Sequence, residues 1–177
     1  TGGLIPFLFY RKLFSIRQKL TLIGPPELKK FILNGFKYSG LRRINNYHWY
    51  DISSTQNFKL TNEIRIKTLE MKHKIPCWGY RIEYQTKSLV FITDTAISSN
   101  AIKLSKNADV LIHEATFGHE MSERAKKQFH TTNTQAMSIA DQAKVKRLIL
   151  THFSQRLSDN ELKSWVWNGK KCVVFDK

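Results

Sequence analysis

Apolar positions along the chain fall into short runs whose spacing changes after residue 94. Residues 3–18 are mainly apolar, with basic residues towards the end and Pro6 suited to a first turn, which predicts a helix. Leu20-Thr21-Leu22-Ile23-Gly24 reads as a short strand. Pro25-Pro26-Glu27 then opens a helix to about residue 38, closed by Ser39-Gly40. Residues 47–72 read as strands. Ile64 and Ile66 share one parity, whereas Leu69, Met71 and His73 share the other, which predicts a bulge or bend between them. Tyr80, Ile82 and Tyr84 alternate, Gln85-Thr86-Lys87-Ser88 turns, and Leu89-Val90-Phe91-Ile92 follows, which together predict a tight hairpin.

Beyond Asp94 the pattern becomes helix and strand in alternation. A helix near 98–106 precedes a strand at 109–112, a helix near 131–143 precedes one at 147–151, and a short helix near 158–166 precedes one at 171–175. Hairpins first and αβαβ later predict an α/β protein with a mixed sheet covered by helices, a layered sandwich. A length of 177 residues with 41% apolar composition suffices for one domain with a real core.

There is no apolar run of about 18 residues, so no transmembrane helix is predicted and no membrane partner is expected. The start has no Met, and its apolar stretch at 4–10 comes before the basic residues, the wrong order for a signal peptide. It reads as the start of a fragment or of a split domain. Cys77 and Cys172 are far apart and form no CxxC motif. A reducing compartment, the cytoplasm, is the simplest reading, with Cys77 structural.

The formal net charge is +15, unevenly spread. Residues 1–50 hold nine Lys and Arg (Arg11, Lys12, Arg17, Lys19, Lys29, Lys30, Lys37, Arg42, Arg43) against one acid, Glu27. Such a field draws a polyanion such as RNA, DNA or an anionic surface. Solvated lysine-rich faces would give the same count, and charge alone leaves both readings open.

The chemistry gathers where apolar strands end. Residues 69–72 lead to His73, residues 89–93 to Asp94-Thr95, residues 110–112 to His113-Glu114, and residues 148–151 to His152. A rigid sheet brings such loops together. A lone histidine after a strand is usually structural, but four chemically capable strand ends together point to a site. Imidazole and carboxylate suit zinc or a similar metal, and an Asp can bridge two cations that clamp a phosphoryl or acyl oxygen. His73, Asp94 and His152 are too few for two four-coordinate ions. His48, between Tyr47 and Trp49, fits packing or the surface, and His119 falls in a loop. His130 stands before Thr131-Thr132, a helix start. It is either a capping residue or, if a carboxylate such as Glu114 orients it, a general acid.

These motifs, in this order, resemble ribonuclease Z, the tRNA 3′-processing endonuclease family of the metallo-β-lactamase superfamily. His113-Glu114-Ala115-Thr116-Phe117 is similar to that family's HEAT motif, and Gly24-Pro25 before a helix to its GP segment. His73-Lys74-Ile75-Pro76-Cys77-Trp78-Gly79-Tyr80-Arg81 is similar to its third histidine motif. Thr93-Asp94-Thr95 resembles its GDT motif, with Thr in place of Gly. His130-Thr131-Thr132 with Gln135-Ala136 resembles its HST motif. Leu150-Thr151-His152-Phe153-Ser154-Gln155-Arg156 resembles its final histidine motif, with Leu157 in place of Tyr.

The resemblance covers nearly the whole chain. It implies a metallo-β-lactamase-like αββα sandwich, incomplete at the N-terminus, with residues 1–177 as one partial hydrolase domain. The family's HxHxDH segment would fall immediately upstream of residue 1 and would supply the missing ligands. His73 would complete one metal site, Asp94 bridge both, and His152 complete the second. His130, oriented by Glu114, would be the general acid. Thr95, Thr116, Ser154 and Arg156 would support the ligands or position substrate. The implied cofactor is Zn2+, two per complete site, with Mn2+ or Mg2+ as alternatives. The implied substrate is precursor tRNA, cut to a 3′-hydroxyl and a 5′-phosphate trailer, and the implied assembly is a homodimer.

The chain departs from the family at one point. Many short ribonuclease Z enzymes carry a tRNA-gripping arm between the third histidine strand and the GDT motif, where Tyr84 to Leu89 forms a tight turn here. Two other readings therefore stand beside the tRNA endonuclease. One is a metallo-β-lactamase-fold phosphodiesterase or ester hydrolase for small substrates. The other is a non-catalytic RNA-binding fragment.

Overall fold

The computed structural model describes residues 3–38 and 47–173. They fall into two compact units, residues 1–56 and 57–177. The first contains helix α1 (Leu4–Leu13), strand β1 (Leu20–Gly24), helix α2 (Pro26–Tyr38) and strand β2 (Tyr47–Asp51), with β1 and β2 paired in parallel. Pro26 opens α2 because its fixed φ suits a first helical turn and its missing N–H would be unpaired there anyway. Leu8 on α1 and Ile32 and Phe36 on α2 form the core of this unit, with Leu22, Leu28 and Trp49 packed around them.

Helix α1 is shorter than the predicted 3–18. Ser15 turns into the left-handed region (φ 50°), and the Ile16 and Ser15 N–H groups donate back to the Arg11 and Lys12 carbonyls. This closing motif satisfies the last helical carbonyls and ends the helix whatever the apolar pattern beyond it. The predicted closure of α2 at Ser39-Gly40 lies outside the described residues.

The second unit is built on a six-stranded mixed sheet in the order β3-β4-β5-β6-β7-β8. Strands β3 (Asn57–Lys59), β4 (Ile64–Glu70), β5 (Trp78–Tyr84) and β6 (Lys87–Ile92) are antiparallel hairpin partners. Strands β7 (Val110–Glu114) and β8 (Leu148–Thr151) join β6 in parallel. The change falls where α3 (Ser99–Ser105) begins, because a parallel pair needs a crossover connection. Helices α4 (Ser122–Gln128) and α5 (Asn133–Gln142) link β7 to β8, and α6 (Asp159–Ser164) follows β8. The predicted α/β class with a mixed sheet is what the chain adopts.

Alternate strand positions Val90, Ile92, Leu111, Leu148 and Leu150 pack with Ala101 and Leu104 of α3 and Ala136, Ile139 and Ala140 of α5 into one buried core. Small residues on the helices let them lie close to the sheet. The approach is closest at Gly79 of β5, where a Cβ would stand 2.8 Å from Leu104 Cδ2 and 2.8 Å from Met71 Cε. Arg81 of the same strand donates from Nη1 to the Leu104 and Lys106 carbonyls, at 3.1 and 2.9 Å, and so caps the end of α3.

One local expectation is corrected. Strand β4 pairs with β5 without a break from Ile64↔Tyr84 to Glu70↔Trp78, so the expected bulge is absent. Ile66 and the fully buried Thr68 lie on one face of β4, while Leu69, paired with Gly79, lies on the other and packs against the core of Val90 and Ile92, so the change of parity reflects burial on both faces. Helix α4 was not legible in SERAKKQ because it buries only Ala125. Of the strand expected at 171–175, Lys171 lies in β10 (Lys170–Lys171), which forms a small antiparallel ribbon with β9 (Val166–Trp167), and Val173 bridges Leu150 in parallel, while residues 174 and 175 lie outside the described residues.

Candidate active site

The polar residues that end β4, β6, β7 and β8 belong to the second unit, as do those that precede α5. Asp94 lies two residues past β6 and His152 one past β8, and both adopt left-handed backbone, at φ 51° and 60°. That region is sparsely populated for non-glycine residues, Asp and His being among those that enter it more readily, and such turns concentrate at functional sites. Asp94, His130 and His152 each offer a ligand atom within 4.8 Å of the others. Among the described residues, His73 falls outside that tight cluster, although its ring lies 5.0 Å from that of His130. His73 Nδ1 lies 3.0 Å from the Phe129 carbonyl. A carbonyl only accepts, so Nδ1 holds the proton and Nε2 keeps its lone pair.

Glu114, at the end of β7, is fully buried and organises the site. Its Oε1 accepts the Thr95 N–H at 2.6 Å and His130 Nδ1 at 2.8 Å. Its Oε2 accepts the Thr116 hydroxyl at 2.6 Å, the Thr131 N–H at 3.2 Å and the Thr116 N–H at 3.3 Å. Burial pushes the Glu114 carboxyl up, but the hydrogen bonds from His130 and Thr116 outweigh it and hold the group below the usual carboxylate range. The Glu114 hydrogen bond raises the pKa of His130, against the opposing effect of burial, with the Glu114 and Asp94 charges adding to it. Glu114 and His130 therefore form a charge-assisted pair.

The single Thr116 hydroxyl proton is committed to Glu114, so at His152 the same oxygen must accept. His152 Nδ1 lies 2.8 Å from Thr116 Oγ1 and is thereby fixed as the N–H. That leaves His152 Nε2 as a bare lone pair, 3.1 Å from Asp94 Oδ1. This approach is not a hydrogen bond, since Asp94 Oδ1 is buried without a hydrogen-bond partner among the described residues. Two lone-pair atoms facing each other at that distance repel unless a cation or proton lies against both. Ligands at about 2.0–2.1 Å from one ion stand roughly 3 Å apart, so the donor set fits a divalent metal of the zinc type.

The remaining candidates play lesser parts. Thr95 is buried, and its hydroxyl donates to the Ala96 carbonyl at 2.7 Å. The Ser154 N–H donates to the Thr116 carbonyl at 2.9 Å, which ties the loop after His152 to the Glu114 loop. Arg156 is exposed, and its N–H donates to Ser154 Oγ at 3.3 Å. His113 is a core residue: its Nδ1 donates to the Glu114 carbonyl at 2.7 Å, and burial lowers its pKa, which favours the neutral ring. The Cys77 thiol is pushed up to about 11, mainly by burial, and donates to the Thr93 carbonyl at 3.3 Å, so it is a structural group. His48 is exposed, edge-on to Tyr50, and His119 is exposed beside Glu120.

Residues 9–153 match the family profile described as a beta-lactamase superfamily domain. Ribonuclease BN of Proteus mirabilis (strain HI4320) is 28% identical over 90% of this chain and 68% of its own length. Ribonuclease Z of Crocosphaera subtropica (strain ATCC 51142 / BH68) is 30% identical over 78% of this chain and 60% of its own. Among solved structures, the human short-form tRNase Z superposes with a TM-score of 0.70 at 25% identity, over 80% of this chain and 64% of that one. The metallo-beta-lactamase fold protein YhfI of Bacillus subtilis superposes with a TM-score of 0.76 at 21% identity, over 96% and 67%, a likeness of fold alone. The chain thus spans about 60–68% of the length of these two curated relatives.

Proposed function

The chain belongs to the beta-lactamase superfamily, and on that premise we propose that it supplies the later half of a two-metal phosphodiesterase site that removes the 3′ trailer from precursor tRNA. The observation that carries this reading is the Glu114–His130 pair, 2.8 Å apart, beside the unpartnered Asp94 oxygen. Relatives named ribonuclease Z and ribonuclease BN support the nuclease assignment. Residues 1–177 are taken as one hydrolase domain whose further ligands come from an HxHxDH segment ahead of residue 1.

In this reading Asp94, His152 and His73 are the residues of this chain that would hold the two ions, Asp94 being the one they would share. Zn2+ is the expected occupant, with Mn2+ or Mg2+ as alternatives. A bound divalent ion supplies Lewis-acid charge at a phosphoryl oxygen and makes water acidic enough to attack. Glu114 holds the His130 ring in place and stabilises its protonated form. His130 then gives a proton to the 3′-oxygen that leaves. Thr116 orients His152, and Ser154 and Arg156, on the loop after His152, would position the substrate. The basic residues of the first unit attract the RNA, and a homodimer is the assembly expected.

In the protein completed by its HxHxDH segment, His130→Ala is expected to abolish most precursor tRNA cleavage while leaving the metal content unchanged. Loss of metal in that variant would make His130 a ligand, a role its place within the 4.8 Å cluster also permits. RNA affinity should fall steeply with salt, and a flat dependence would reject the basic face as the binding surface. A second reading rests on the β5–β6 hairpin: Tyr84 pairs directly with Lys87, so this hairpin carries no arm. It gives a phosphodiesterase for small substrates, and turnover of a dinucleotide but not of precursor tRNA would favour it.

A further inference from the structure

Beside His130 lies an open cleft of about 310 Å³ that no step above uses. Lys72, Ala96, Ile97, Ser122, Glu123, Lys126, His130 and Gln135 line it. His130 is the wall it shares with the Asp94–His152 cluster. A group seated here therefore lies against His130, the residue assigned to the leaving group.

The lining has the chemistry of a nucleotide site. Lys72 and Lys126 contribute two cationic side chains to the lining, and neither has an ion-pair partner among the described residues. Both are exposed. Ile97, 53% exposed, and Ala96 add apolar surface to the same lining. Ser122 of α4 and Gln135 of α5 add hydrogen-bonding groups, and the Glu123 carboxylate in the same lining leaves the two lysines in excess by one positive charge. Gln135 is fixed there because its Oε1 accepts the Thr132 N–H at 3.0 Å. Two cations, an apolar face and a few polar groups in one small cleft suit an anion joined to a flat ring, and exceed what inorganic phosphate needs.

We propose that this cavity holds the nucleotide on the 5′ side of the cut, the one whose 3′-oxygen leaves. Its own phosphate pairs with Lys72 and Lys126, and its base lies on Ile97 and Ala96. The inference rests on the phosphodiesterase reading for its orientation, but the binding itself needs no metal.

The test titrates the isotopically labelled 177-residue chain with nucleoside 5′-monophosphates and, separately, with inorganic phosphate, followed by NMR. The nucleotides should move the Lys72, Ile97 and Lys126 backbone signals and bind more tightly than phosphate. The Lys72→Gln/Lys126→Gln double variant, with its thermal midpoint checked, should lose about ten-fold in affinity. Unchanged affinity in that variant, or equal binding of phosphate and nucleotide, overturns the proposal. Cleavage is then read in the protein completed by its HxHxDH segment. Failure to cut any phosphodiester while mononucleotides still bind at these residues rejects the phosphodiesterase reading and leaves the binding site standing. Normal KM in the double variant rejects the site and leaves the reaction standing.

Discussion

Thr116 Oγ1 lies 2.8 Å from His152 Nδ1 and 2.6 Å from Glu114 Oε2, so one hydroxyl joins the proposed metal ligand to the buried carboxylate that also holds His130. Metal affinity commonly depends on such outer partners, because they fix the tautomer and the aim of the ring. Thr116→Val keeps the shape and removes the bridge. It should free His152 to exchange tautomers, visible in the imidazole nitrogen shifts of the metal-free chain. In the completed site it should weaken metal binding about 10- to 100-fold. Thr116→Ser should restore both. An unaltered His152 tautomer in the valine variant would show that Thr116 does not set it.

Glu114→Gln is the sharper perturbation. Every partner of this carboxylate donates, from Thr95, Thr116 and Thr131 on the backbone to the His130 ring and the Thr116 hydroxyl. A glutamine amide presents one oxygen and one NH2, and its NH2 would meet donors at a position closed to water. The expected cost is about 1–3 kcal/mol of stability for the unsatisfied groups, measured by urea unfolding. A variant as stable as the parent would mean that the loops move apart to admit water.

At Gly79 the constraint is one of space. A methyl group there would stand 2.8 Å from both Leu104 Cδ2 and Met71 Cε and 3.0 Å from Ile92 Cγ1. Leu104 and Ile92 are fully buried, so the neighbours have little room to yield. Gly79→Ala should cost about 1–3 kcal/mol by overpacking between α3 and the sheet. Gly79→Ala paired with Leu104→Ala should recover part of that loss. Purely additive costs would show that the strain is not at this contact.

What the sequence revealed follows from how local each signal is. Strand β1 was legible to the residue because its five positions sit between a polar turn and two prolines. The β5–β6 hairpin and the start of α5 were legible for the same kind of reason, an alternation around a turn and a Thr132–Gln135 capping box. The end of α1 was not, since it depends on the backbone of Ser15 rather than on hydrophobicity. The regularity of β4 was hidden because it buries residues on both faces, Ile66 and Thr68 on one and Leu69 on the other, so a straight strand shows two parities. At the candidate site, residue types at strand ends named the participants. The bridge through Thr116 joins residues far apart in sequence, and only the folded chain brings Thr116 within 2.8 Å of His152.

Acid should expose one more feature, at Asp109 just before β7. Its Oδ1 lies 2.8 Å from Lys146 Nζ, and its Oδ2 accepts the Ser88 N–H at 2.8 Å, so it ties the start of β7 to β6 and to the approach of β8. The Lys146 hydrogen bond and then the Ser88 N–H hold its carboxyl at about 2, against an ordinary value of 3.8. A group whose folded pKa is depressed stabilises the fold at pH above its unfolded value. That contribution fades as pH falls through 3.8 and is gone below about 2. Asp109→Asn should therefore be less stable than the parent at neutral pH, and the gap should close on acidification across that window. Urea midpoints of the two proteins measured from neutral pH down to the acid limit test this. A gap that stays constant with pH would mean that Asp109 acts through packing or neutral hydrogen bonds, and that its ionisation contributes nothing to the tie between these strands.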